Sequence, residues 1–441
     1  MICLASFFVL LVLAFSIPAS LLRGNAASSA ETLLAEGDNP YIFGGRQDWS
    51  LDNYTASIML NTAAADVKNP VIALAEDYSW NKKGTTARVE HFADSIGRKV
   101  EEQRGGEWIG YWRYWHGYVT ALRPLLLVTD LNGIRTLFLL AFSALLLVTS
   151  WLFSRMSNPV VGLLYGVSFC FVSWFVSIVS IPFAFSFLIG IVAVLFVQLH
   201  QSGRWSFDGE PADYLPRWGA FFLVIGALTV FFDFLDNPII TLGLPASTLL
   251  FLNRGRVTKA SVGKCVGLIL LACLCWGVGY IVTWVVKWVI VSLVTGENMV
   301  SAAMGEVRYR SGTVAWPTEG GTGFTRAAAA SRNLHVLLPH AKRGVAIIVC
   351  AALVIAILMR ASRTRVRTCW LAPNAIVFLL PYFWYLAVSN HSYIHYWFTF
   401  RDQLVSIVAA ALVLGDCVWE LCKTIPARRE GASRQPTDPA D

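Results

Sequence analysis

Charged side chains are scarce in this chain. Only 14% of its 441 residues are Asp, Glu, Lys or Arg, while 56% are hydrophobic and the mean hydropathy is +0.56. That balance excludes a soluble globular protein and a disordered chain alike. The nine cysteines lie in or beside apolar stretches and none falls in the long polar segments, so neither a disulfide framework nor zinc-ligand spacing is present. No internal repeat is visible, which weighs against the paired halves of many transporters. Gly320, Gly321 and Gly323 lack the strand and the lysine of a phosphate-binding loop. The net charge of +7 comes from basic residues in short segments beside apolar runs, a topology signal rather than a nucleic-acid surface.

What the chain has is long apolar runs. A helix needs roughly 20 apolar residues to cross about 30 Å of hydrocarbon, and candidate spans cover 3–21, 134–153, 159–179, 182–200, 218–235, 238–252, 265–291, 344–360, 370–388 and 403–421. The expected fold is therefore an all-α polytopic membrane protein of about ten helices. Pro182 should break the run from Val160 to His200 into a hairpin with a tight turn. Residues 2–20 also resemble a signal peptide, but a basic leading region is absent, which favours an uncleaved helix.

Two basic clusters, Arg254/Arg256/Lys259/Lys264 and Arg360/Arg363/Arg365/Arg367, mark cytoplasmic loops, and counting outward from either gives the same result. Both termini are then cytoplasmic. The chain divides into a first helix (1–21), an extracytoplasmic segment after it (22–133), helices two to seven (134–293), a second extracytoplasmic segment (294–343), helices eight to ten (344–422) and a disordered tail (423–441).

Four polar clusters fall on the outer side under this count. In the first, Asp48 and Asp52 stand four residues apart and would share a helical face. Either is a cap before the apolar stretch from Ile58 or a general base, with Asp48 evenly placed between the two and Asp52 the better base. The second is Tyr111 to Tyr118 followed by Arg123. Its rings suit an interfacial aromatic belt, whereas Arg113, His116 and Arg123 suit an anionic headgroup.

The third holds Asp233 and Asp236 between two spans. Asp236 precedes Pro238, a capping arrangement, whereas Asp233 lies among phenylalanines, where a carboxylate is costly unless paired, hydrated or used. The fourth runs from Ser389 to Arg401, with His391 and His395 four apart. Without an HExxH pattern or a cysteine partner, these imidazoles and Arg401 suit phosphate contact or acid–base work better than a metal. The one cofactor candidate that this reading names is a divalent cation. Asn53-Tyr54-Thr55 and Asn390-His391-Ser392 match the glycosylation sequon.

A large outer segment after the first helix, carrying acids, resembles the layout of GT-C-type glycosyltransferases. The motifs Phe232-Asp233-Phe234-Leu235 with Pro238 to Gly243, Tyr114-Trp115-His116-Gly117-Tyr118, and His391 to Phe398 are similar to blocks of bacterial multi-pass membrane proteins of unassigned function. The resemblance implies transfer of a sugar from a polyprenyl-phosphate donor to a glycan or lipid acceptor, outside a bacterial cytoplasmic membrane. It makes Asp48 or Asp52 the essential acid, although the family's acid lies just after the first helix and Asp48 is well beyond Leu21. The competing expectation is a transporter or lipid-handling protein in which Asp233, Asp236 and the histidines line a polar path. A hundred-residue outer segment is more than alternating access needs.

Overall fold

The computed structural model describes residues 2–41, 47–74, 80–81, 88–95, 107–108, 111–201, 211–315, 323–339, 359 and 369–432. The candidate span 344–360, the second basic cluster, and Gly320 and Gly321 lie outside them. Apart from two antiparallel two-residue strands, Trp80–Asn81 and Glu107–Trp108, the regular elements described are helical. Five helical runs are long and apolar enough to cross a membrane: Leu131–Met156, Ile181–His200, Ala212–Phe232, Val262–Thr295 and Tyr396–Thr424. Four shorter apolar helices join them: Ile2–Phe15, Pro159–Val172, Pro238–Leu252 and Leu371–Ala387. The chain is a helical, multi-pass integral membrane protein.

Where hydrocarbon is the solvent, outward positions carry large apolar side chains. Leu140, Leu147 and Trp151 on one span and Leu274 and Ile281 on another are all more than half exposed. Backbones approach closely where glycine permits. Gly226 and Gly279 sit where α10 (Pro211–Phe232) meets α12 (Val262–Thr295), and a Cβ on either would strike a carbonyl of the other helix, Trp276 O or Leu223 O.

The first helix is shorter than expected. α1 (Ile2–Phe15) stops before Pro18, a turn covers Ala19–Leu21, and α2 (Arg23–Glu36) begins at once. The segment after the first helix therefore starts as helix rather than as loop. It continues through α3 (Asn53–Ala64), α4 (Arg88–Ser95) and α5 (Val119–Leu125) to α6 (Leu131–Met156), which Asp130 caps through the Gly133 amide at 3.1 Å. The hairpin expected at Pro182 breaks earlier. α7 (Pro159–Ser168) runs into a 3-10 turn, Ser173 adopts φ 51°, and a short α8 (Trp174–Val179) precedes extended Ser180. Pro182 lies in the first turn of α9 (Ile181–His200), where its missing N–H costs little.

Polar clamps fasten the segment between α1 and α6 to the apolar helices. Glu36 takes both terminal nitrogens of Arg135, at 2.7 and 2.9 Å, and Asn53 joins through Nδ2 to Glu36 at 2.8 Å and through Oδ1 to Arg135 at 3.0 Å. The carboxyl of Glu36 is pushed up by burial, but Arg135 outweighs that and holds it below the usual range. Asn53 and Asn390 are both buried, so neither sequon offers a glycan acceptor in this fold. At the far end, α11 (Pro238–Leu252), α13 (Met299–Ser311), α14 (Arg326–Leu337), α15 (Leu371–Ala387), α16 (Ser389–Ile394), α17 (Tyr396–Thr399) and α18 (Leu404–Ala432) complete the set. Because α18 is helical to Ala432, the segment read as a disordered tail begins as helix.

Candidate functional site

Asp52 is the N-cap of α3, its Oδ1 accepting from the Thr55 amide at 2.8 Å, while its own amide donates to Ser180 Oγ at 3.1 Å. Asp48 lies in a separate 3-10 turn, Gln47–Trp49. The shared helical face is therefore absent, and the cap belongs to Asp52 rather than Asp48. The Asp48 carboxylate accepts from Ser173 Oγ at 3.0 Å, and its backbone oxygen accepts from Arg401 Nη2 at 2.9 Å, across 353 positions of sequence.

Arg401 gathers the acids. It is fully buried, stacked by Phe183 and Phe400 with its guanidinium carbon 4.9 Å from each ring centre, and within electrostatic reach of Asp48, Asp236 and Asp52. A buried guanidinium needs such company. Asp236 in turn feels Asp233 and Asp52. The segment between α1 and α6, the α10–α11 junction and the start of the last span thus meet at one place.

The junction itself is tightly specified. Asp233 accepts from Ser186 Oγ at 2.7 Å and from the amides of Leu235 and Asp236 at 2.9 and 3.1 Å, so it folds its own turn. Leu235 is thereby held at φ 75°, a conformation costly for a bulky side chain. Asp236, expected as the cap before Pro238, makes no side-chain cap to α11, and its Oδ2 is buried without a partner.

The carboxyls at this junction differ in environment. Burial raises Asp52 to about 6, with Asp38 adding to the shift and the Thr55 bonds and Arg401 opposing it. Burial, then the charges of Asp233 and Asp52, push Asp236 well above the carboxylate range. Asp52 and Asp236 are thus shifted by different neighbours, Asp236 by the charges of Asp233 and Asp52, and Asp52 by Asp38 and Arg401.

Four basic side chains expected at a phosphate or anionic headgroup have other surroundings. Arg123 spends its guanidinium on the carbonyls of Ile17, Ala63 and Ala65, with Nε to Ile17 at 3.1 Å and Nη1 to Ala63 and Ala65 at 2.8 and 2.9 Å. It is 1% exposed and ties α1 to α3. His391 uses both ring nitrogens, Nε2 to the Leu235 carbonyl at 2.9 Å and Nδ1 to Arg310 Nη1 at 2.8 Å. Since a guanidinium only donates and a carbonyl only accepts, the imidazole is neutral with its proton on Nε2. His395 packs between His391 and Phe398, with ring centres 4.8 and 5.1 Å away. His116 adopts φ 58° and bonds Tyr118 Oη at 2.8 Å.

Arg113 borders a cavity. It stacks near Tyr114 and Tyr111, 5.1 and 5.5 Å from their centres, and pairs loosely with Glu306 at 3.9 Å. Glu306 also pairs with Arg310 at 3.7 Å. These residues border a cavity of about 330 Å³ between α12, α13 and α15, walled by Tyr280, Trp284, Trp288 and Trp384. Leu235 lines it too, so the cavity and the acid junction are back to back.

Two participants were absent from the sequence reading: Arg310 and Asp402. Asp402 is a buried charge at the start of the last apolar run, a signal that intramembrane charge alone provides. Arg310 had only the Glu306 four residues earlier to mark it. Among the described residues, no three His, Cys, Asp or Glu side chains group as metal ligands would. No family model, curated protein or solved structure matches this chain.

Proposed function

We propose that this protein is a glycosyltransferase of the GT-C kind, moving a sugar from a polyprenyl-phosphate donor to a glycan or lipid acceptor at the extracytoplasmic face of a bacterial membrane. The convergence of Asp52 and Asp236 beside Arg401 carries this reading. It joins a folded segment outside the membrane to a junction of two spans, which suits a reaction between a lipid-borne donor and an acceptor from outside.

In this scheme Asp52 takes the proton of the acceptor hydroxyl as its oxygen bonds to the anomeric carbon. The bond from that carbon to the donor phosphate breaks, and its electron pair leaves with the polyprenyl phosphate. Arg401 keeps Asp52 ionisable in a buried setting, and protonated Asp236 donates to the sugar or to the leaving oxygen. Asp48, engaged by Ser173 and Arg401, is a positioning residue. The topology that goes with this reading has about ten spans, counting the nine apolar helices and 344–360, with both termini cytoplasmic. A sugar-transfer assay on purified protein with Asp52→Asn as its control tests it, and unimpaired transfer by that variant overturns the base assignment.

A polar path for protons is the second reading, favoured by Asp402, whose carboxylate is buried at the start of the last apolar run, beside Asp233 and the amides of Ile239 and Ile240. Proton-coupled uptake into proteoliposomes that is lost in Asp402→Asn, with no sugar transfer in wild type, would replace the first reading.

A further inference from the structure

Three serines of one apolar stretch each hold a residue of the acid junction. Ser173 Oγ donates to Asp48 Oδ2 at 3.0 Å, Ser180 Oγ accepts from the Asp52 amide at 3.1 Å, and Ser186 Oγ donates to Asp233 Oδ1 at 2.7 Å. Ser173 and Ser180 stand at the two ends of α8, and Ser186 lies in α9. All three are buried. A serine in an apolar helix ordinarily satisfies its hydroxyl on its own chain, as Ser168 does on the Leu164 carbonyl at 2.7 Å and Ser177 on that of Ser173 at 3.4 Å. The other three reach different elements instead, and two of them reach across 125 and 128 positions of sequence.

Ser173 differs from its fellows in its backbone. It ends the 3-10 turn Phe169–Val172 at φ 51° and ψ 52°, the left-handed position where helices usually place glycine because a Cβ is unfavourable there. What glycine would lack is the hydroxyl, which besides donating to Asp48 accepts from Trp49 Nε1 at 3.1 Å. Two consecutive side chains of the 47–49 turn thus close on one oxygen. The carbonyl of Asp48 in turn accepts from Arg401 Nη2 at 2.9 Å, so the turn that Ser173 holds also holds the guanidinium around which the acids gather. Strain kept at a residue whose side chain fixes a site is the mark of position taking precedence over local stability.

We infer that Ser173 is a positioning residue: its hydroxyl, carried on a strained break between α7 and α8, seats the Asp48–Trp49 turn and so sets Asp52 and Arg401 in register with the apolar helices. The seat follows from the contacts alone; only its effect on transfer rests on the transferase reading. Ser180 fixes the other end of the same segment through the Asp52 amide. Seven residues of helix span about 10 Å, so α8 is a short template with one docking point for Asp48 and one for Asp52.

Ser173→Gly separates the two properties of this residue, since it relieves the backbone and deletes the hydroxyl. In detergent the variant should melt no lower than wild type, while the amides of Leu51 and Asp52, bonded to the Pro40 carbonyl and to Ser180 Oγ, exchange with deuterium about tenfold or more faster. Peptide mass spectrometry over residues 48–54 reads this. For sugar transfer, kcat should fall about tenfold or more with KM for the lipid donor unchanged. Ser173→Ala, which loses the hydroxyl and keeps the Cβ, should show the same faster exchange and melt below Ser173→Gly. Unchanged exchange over 48–54 in both variants overturns the seat, and Ser173→Gly melting below Ser173→Ala overturns the strain. Should neither variant elute as a single species, Trp49→Phe removes the N–H that reaches Ser173 Oγ and keeps a ring; it should speed exchange of the same amides, and a wild-type rate there overturns the seat. Faster exchange with an unchanged kcat confines Ser173 to structure and overturns the positioning role. Wild type that transfers no sugar would sink the transferase reading, and the exchange rates then decide the seat by themselves.

Discussion

His391 donates its Nε2 proton to the carbonyl oxygen of Leu235 at 2.9 Å, and Leu235 is one of three non-glycine residues with positive φ among those described. The imidazole holds a strained turn in place from outside, while Asp233 holds it from within. With Arg310 on its other nitrogen, His391 is a strut between the α10–α11 junction and α13. Its role is positioning.

That role separates two substitutions. His391→Gln keeps one donor and one acceptor and removes the titratable ring, so sugar transfer should fall by no more than about tenfold, whereas His391→Ala should lose about a hundredfold. Steady-state rates of the two variants check this. Equal, near-total loss in both would indicate an acid–base role instead.

Asp52 carries an opposite balance of stability and function. Its folded carboxyl sits at about 6 against an ordinary 3.8, so above pH 3.8 the unfolded chain ionises first. Stability from this group is complete below that point and is lost as pH rises through 6. The shift corresponds to about 3 kcal/mol. Asp52→Asn retains a good helix cap and should therefore melt higher than wild type at pH 8 but not at pH 4. Thermal scans in detergent at the two pH values decide it, and a lower melting temperature at pH 8 would contradict the burial cost.

Clamping residues should behave in another way. Glu36→Ala leaves Arg135, which is 8% exposed, without its two short bonds, and should cost about 1–3 kcal/mol. Arg123→Gln, which orphans carbonyls at the end of α3, should likewise destabilise without changing KM for a lipid donor in the folded fraction. Melting temperature and KM measured together check both. A raised KM with an unchanged melting temperature for Arg123→Gln would return that arginine to the binding site.

Membrane class was legible because apolar runs of span length announce themselves. So were the positions of three apolar helices, since α9, α11 and α15 each begin or end within three residues of the apolar runs read for them. Helix interruptions were not. The pauses at Ser173 and Ser180 carry no proline or glycine, and both serines bond to residues far away in sequence, Ser173 to Asp48 and Ser180 to the Asp52 amide. At the site, the acid groupings near 50 and 235 and the arginine at 401 were visible as charges in costly places, yet which acid caps a helix depends on where the 3-10 turn at Gln47–Trp49 ends. Arg123 looked like an anion contact because sequence shows a charge and not the three carbonyls around it. Arg310 was missed because its importance comes wholly from contacts with Glu306 and His391, 4 and 81 positions away.

The most direct measurement is transfer of radiolabelled sugar from a polyprenyl-phosphate donor to membrane acceptor, by purified wild type and Asp52→Asn, followed from pH 5 to 8. Asp52 as base must be ionised, so wild-type transfer should rise with pH around a midpoint near 6, and the variant should be slower by about a hundredfold or more. Transfer by Asp52→Asn at the wild-type rate, or a wild-type rate that falls between pH 5 and 7, would contradict Asp52 as the base.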